Sequence, residues 1–105
     1  MNTSVGEVLR EGMAKHRRDS AQRAIANYRK THSEAMRLIR ALIVSANFLE
    51  STQHDEELWG ASRRTIQNLK RDRALVVEQI KHYKETVKFA QHSISYYQSL
   101  LESDR

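Results

Sequence analysis

The sequence predicts an all-α protein: a long antiparallel helical hairpin of coiled-coil type with a short N-terminal helix. It would close either as a three-helix bundle or as a dimeric four-helix bundle. Two apolar ladders and a shortage of helix breakers carry that expectation. Stepping by four and three residues from Trp59 gives Ser62, Ile66, Leu69, Arg73, Val76, Ile80, Tyr83, Val87, Ala90, Ile94, Tyr97 and Leu101. A seven-residue period held this long commits a helix to another helix along its whole length. At 1.5 Å per residue such a helix is about 60 Å long. A second ladder runs through Ala21, Ile25, Tyr28, His32, Ala35, Ile39, Leu42, Ala46 and Leu49. Proline is absent and the glycines are only Gly6, Gly12 and Gly60, so few positions can interrupt either helix.

Taken in order, Ser4 and Glu7 fit a capping box that opens a helix over about 4–16, with Val5, Val8, Leu9 and Met13 on one face. Asp19 and Ser20 are good N-caps and Gln22 stands three residues after Asp19. A kink or short break is therefore expected near 16–20, before a helix over about 19–50. The last third of that helix adds Met36, Leu38, Ile43, Val44 and Phe48, apolar on enough sides to need more than one neighbour. Glu50 to Glu57 is the one polar stretch between the ladders, and Ser51, Thr52 and Asp55 suit helix caps. The turn is expected there, at about 51–55, and the last helix at about 56–102, all within a single helical domain. Such a turn would pair residues whose numbers sum to about 108: Leu49 with Trp59, Leu42 with Ile66, Tyr28 near Ile80. Trp59 then reads as an apolar plug at the turn end.

The last helix carries more apolar surface than one seam hides. Leu75, His82, Phe89 and Tyr96 recur every seventh residue, with Leu100 on the same side. The matching side of the preceding helix offers small residues, Ala24, Thr31, Ala41 and Ser45, and then Phe48. Burying one aromatic or leucine side chain contributes about 1.5–3 kcal/mol, and two helices alone cannot bury these. Leu75, His82, Phe89, Tyr96, Leu100 and Phe48 are thus the expected protein-binding residues. The helix covering them would come from a second copy, from the folded-back N-terminal segment, or from a different protein.

Net charge is +5 with a pI near 9.8. Residues 1–49 hold nine Lys or Arg against four acids, whereas residues 50–105 hold nine against nine. His16, Arg23, Lys30 and Arg37 recur every seven residues, with Arg40 close by. A row of this kind can follow phosphates or an acidic partner. Arg23, Lys30, Arg37 and Arg40 are therefore candidate anion contacts, and a nucleic-acid-binding accessory protein is the alternative function. Nucleic acid is not favoured: no aromatics are interleaved with the row, and no helix-turn-helix spacing, RNA-binding signature or zinc finger is present. Arg73 is the one charge on the long seam, where an arginine pairs or sets register, with His32 or Glu34 as candidate neighbours. A ladder broken by one arginine resembles the central layer of an R-type SNARE motif. That resemblance rests on Arg73 and heptad spacing alone, and no SNARE function is carried over from it.

The chain lacks cysteine, which removes disulfides, cysteine zinc sites and thiol chemistry. Its five histidines are scattered and form neither the Glu-x-x-His repeat of di-iron bundles nor His-Glu-x-x-His. No metal, cofactor or small-molecule substrate is expected. Without a glycine-rich phosphate loop or a cleft to hold a nucleophile and base, no enzyme activity is expected either. No apolar run approaches the ~20 residues of a membrane span, and neither a secretory leader nor a lipidation box is present. The expectation is a soluble intracellular protein, cytoplasmic by default. It would act as a non-enzymatic helical interaction module, either a homodimer or a small subunit or adaptor of a larger helical complex.

Overall fold

The computed structural model describes residues 4–103. Two helices account for nearly all of them: α1, Val5–Leu58, and α2, Arg63–Ser103. They fold back on each other into a rod of 88 × 16 × 15 Å. Both ladders form the contact. Every member from Ala21 to Leu49 and from Ile66 to Leu101 is buried or half-buried, while most of their neighbours are exposed. Among the described residues the fully buried core is nonetheless only Ala21, Ile25, Ala35, Ile39 and Ala90. The three alanines let the backbones approach, and no large side chain among the described residues is completely enclosed.

The hydroxyl half of the expected N-terminal cap is present, with Glu7 N–H donating to Ser4 Oγ at 3.2 Å. The short N-terminal helix is not a separate element, and no break occurs at 16–20, because α1 runs through that stretch unbroken. Lys15 to Ser20 contains good cap residues but no Gly or Pro. A side chain that favours a helix start does not by itself stop a helix already running.

The turn lies at 59–62, not at 51–55. Residues 51–58 stay helical: Gln53 Nε2 donates to Glu57 Oε1 at 2.9 Å, one turn on, and Thr52, Gln53 and Glu56 continue the seam half-buried. A polar stretch does not end a helix; backbone geometry does. Gly60 has φ 74°, a left-handed conformation that costs other residues about 1–2 kcal/mol. The Gly60 N–H donates to the Glu57 carbonyl at 3.4 Å and the Ala61 N–H to the Glu56 carbonyl at 2.9 Å. Those two bonds are the Schellman ending of a helix. Two residues later Ser62 Oγ accepts from the Thr65 N–H at 3.2 Å and caps α2. Trp59 and Ser62 therefore belong to the turn rather than to the seam. Trp59 is no plug, since it is 87% exposed at the tip of the rod.

Moving the turn moves the register. Gln91 meets His32 at 3.4 Å, Arg73 meets Glu50 at 3.3 Å, and Tyr28 lies against Phe89 and Tyr97. The numbers of facing residues thus sum to about 122, not 108. Leu49 does not meet Trp59, Leu42 does not meet Ile66, and Tyr28 does not lie near Ile80. The difference is two heptads, so each ladder keeps its face while every partner changes. Arg73 accordingly pairs with Glu50, not with His32 or Glu34. At its other end α1 outruns α2, because Ser103 falls level with about residue 19. Residues 5–15, about 16 Å of helix, project beyond the hairpin.

No helix among the described residues is long and apolar enough to cross a membrane. Accessible surface is 8489 Å², against about 6,100 Å² for a compact folded protein of 12.3 kDa. The radius of gyration, 24.2 Å, is almost double the roughly 13 Å expected of a compact chain of this length. The rod thus exposes about 2,400 Å² that a globular protein of equal mass would hide.

Candidate functional site

Six of the exposed large apolar side chains lie on one flank of the rod: Leu38, Phe48, Leu75, Phe89, Tyr96 and Leu100. On α2 the residues there step by four and three: Leu75, Gln79, His82, Thr86, Phe89, Ser93, Tyr96 and Leu100. This is a second heptad ladder, roughly a quarter turn round the helix from the seam. Its large members are not covered by α1: Phe89 is 62% and Tyr96 59% exposed, and Leu75 and Leu100 are exposed as well. His82 is exposed, and its ring lies edge-on to Tyr83 at 5.4 Å. On the same flank α1 presents Ala24, Thr31, Leu38, Ala41 and Ser45, and then Phe48, which is 69% exposed.

The structure draws four rings together near the open end of the hairpin. Phe89 packs edge-on to Tyr28 at 5.8 Å, Tyr28 stacks on Tyr97 at 6.1 Å, and Tyr97 meets Tyr96 edge-on at 5.2 Å. Offset and edge-to-face pairs of this kind contribute about 0.5–1.5 kcal/mol beyond their area. They also hold Phe89 and Tyr96 in place, so the exposed rings form a set surface rather than loose side chains. Tyr28 was legible from the sequence only as a seam residue; that it braces Phe89 depends on the register. Beside this cluster Arg17, Ser20 and Ala21 of α1 and Tyr97, Leu100 and Leu101 of α2 line an open groove of about 270 Å³. Leu75 and Phe48 lie farther toward the turn. The six residues singled out from the sequence thus share a flank but do not form one pocket.

The opposite flank is polar. Lys70, Arg73 and Glu78 surround Val77 there, and the one ion pair between the helices, Arg73–Glu50, lies on it with both side chains substantially exposed. The basic row takes the outermost face of α1. Arg23, Lys30, Arg37 and Arg40 are all exposed, and none enters an ion pair among the described residues. No group of three or more His, Asp or Glu suited to a metal ion occurs among the described residues.

The chain matches no known protein family, and no curated protein or solved structure is significantly similar to it. A set apolar surface with large side chains at heptad spacing accepts a helix.

Proposed function

We propose that the chain is a non-enzymatic helical interaction module, a rod whose apolar flank takes up a partner helix or helix pair. It would work as a homodimeric four-helix bundle or as a small subunit of a larger helical complex. The observation that carries this reading is the exposure of Leu75, Phe89, Tyr96, Leu100 and Phe48 along one flank of a rod with almost no core of its own. A soluble chain rarely leaves so long an apolar stripe in water. Phe89→Asp and Tyr96→Asp should each abolish assembly, measured by sedimentation, and assembly of the native chain should change little with salt. Wild-type assembly by both variants would end the reading.

A second reading rests on the unpaired basic row. Arg23, Lys30, Arg37 and Arg40 would contact phosphates of a nucleic acid, with the rod as their support. It requires binding that weakens steeply as salt rises and is lost on Lys30→Glu with Arg37→Glu.

A further inference from the structure

We infer that the partner on this flank is a second copy of the chain, related by a twofold axis running along the rod. Both turns then lie at one end, and α2 of each copy packs against α1 of the other. The inference rests on the interaction reading and adds to it the partner and its orientation.

Area is the first argument. Each chain exposes about 2,400 Å² beyond a compact protein of its mass, whereas a standard interface takes about 800 Å² from each partner. The uncovered ladder spans most of α2, so its occupant must be a helical rod of similar length. A second hairpin has the required length and width.

Size complementarity is the second. On one flank each copy carries a ridge with Leu75, Phe89 and Tyr96 on α2, and on α1 a shallower run, small at Ala24, Thr31, Ala41 and Ser45 and raised at Leu38 and Phe48. A twofold axis along the rod leaves every residue at its own level, so the register within one copy also states what meets across the two. Tyr96 falls opposite Ala24 of the other copy, His82 opposite Ala41, and Leu75 between Ser45 and Phe48. The ridge meets the shallower run twice, once from each side. All adjacent helices then run antiparallel, as in an up-and-down bundle.

Charge is the third. Arg37 lies on the outermost face of α1 and Glu85 on the outermost face of α2. Neither makes an ion pair among the described residues. Within one copy they share a level but point in opposite directions, with the hairpin between them. The proposed axis brings Glu85 of each copy beside Arg37 of the other.

The test is a charge swap combined with a distance. Arg37→Glu and Glu85→Arg should each weaken the dimer about tenfold, since each removes two pairs worth up to ~1 kcal/mol apiece. The double variant should return to within about threefold of wild type. Because cysteine is absent, Ala61→Cys takes a single spin label at the turn. Two labels should lie within about 30 Å of each other, given helix spacings of 8–10 Å. A label separation approaching the 88 Å rod length, or a double variant weaker than either single one, overturns the orientation. A native chain that sediments as a monomer at micromolar concentration overturns the second copy as partner. Failure of the interaction reading is distinct: the native chain would then dimerise and Phe89→Asp would sediment as that same dimer. Thr31→Lys guards against a variant that merely unfolds. Thr31 is exposed in the hairpin, so this change should dissociate the dimer while leaving helix content intact.

Discussion

At single residues, Gly60 and Arg73 determine how the two helices align. Gly60 supplies the one positive φ among the described residues, at 74°, and a Cβ there would have open space around it. The cost of Gly60→Ala is therefore backbone strain alone. We expect it to destabilise the hairpin by about 1 kcal/mol, read as a lower unfolding midpoint with unchanged helix content in the folded state. Arg73 costs stability in a different way. Its guanidinium reaches Glu50 at 3.3 Å, but both side chains remain well exposed, and such pairs contribute about 0–1 kcal/mol. Meanwhile Arg73 Nε is buried without a hydrogen-bond partner, a loss of about 1–3 kcal/mol. Arg73→Leu should therefore raise the stability of the hairpin, by about 1–2 kcal/mol in denaturant unfolding. A fall in stability would show that the Glu50 contact outweighs the stranded nitrogen. What the arginine gives in return is position along the rod, because an uninterrupted apolar ladder fits its partner equally well one heptad away.

Among the elements, the projecting end of α1 differs from the rest of the helix. Continuing the seam back from Ala21 leads to Arg18, Ala14, Glu11 and Glu7, so the inward face turns polar where α2 ends. Val5, Val8, Leu9 and Met13 sit on another face and are all exposed. An isolated helix this short is marginal in water, and Gly12 at its centre weakens it further. Gly12 has open space where a Cβ would go. Gly12→Ala should therefore slow amide exchange over residues 5–16 several-fold, by about 1 kcal/mol of local stability, and leave the global unfolding midpoint unchanged. A shift of the midpoint would mean that this end docks on something. The same elements show what was legible from sequence. Heptad spacing identified both seams, because burial follows side-chain period whatever the register. It could not identify the partner of any seam residue, since a two-heptad slip leaves the pattern intact. The turn was misplaced because Glu50–Glu57 is polar, whereas Gly60 followed by Ser62 is the pair that ends one helix and starts the next. The exposed flank was legible for a related reason: Phe89 and Tyr96 lie off the seam in any register, but only the observed one brings Tyr28 against Phe89.

For the whole molecule, shape argues against the hairpin as a final state. A rod of 88 × 16 × 15 Å with five buried residues among those described gains little from burial to set against the entropy of ordering its chain. Under the proposed association, packing of the flank that α1 and α2 leave uncovered would add to the stability that the seam supplies. Two arrangements of copies meet that need in opposite ways. Side-by-side pairing covers the flank ladder and doubles the mass at nearly constant length. End-to-end pairing through the projecting segments covers only Val5, Val8, Leu9 and Met13 and leaves Phe89 and Tyr96 in water. Small-angle scattering separates the two directly. Side-by-side pairing predicts a maximum dimension close to the 88 Å of one rod, a cross-section about twice as large, and the forward scattering of two chains. It also predicts an unfolding midpoint that rises with protein concentration, since association with a second copy stabilises by mass action. A particle of doubled mass and nearly doubled length would place the contact at the projecting ends. In that case Phe89→Asp would leave the concentration dependence of the midpoint untouched, whereas Leu9→Asp would abolish it.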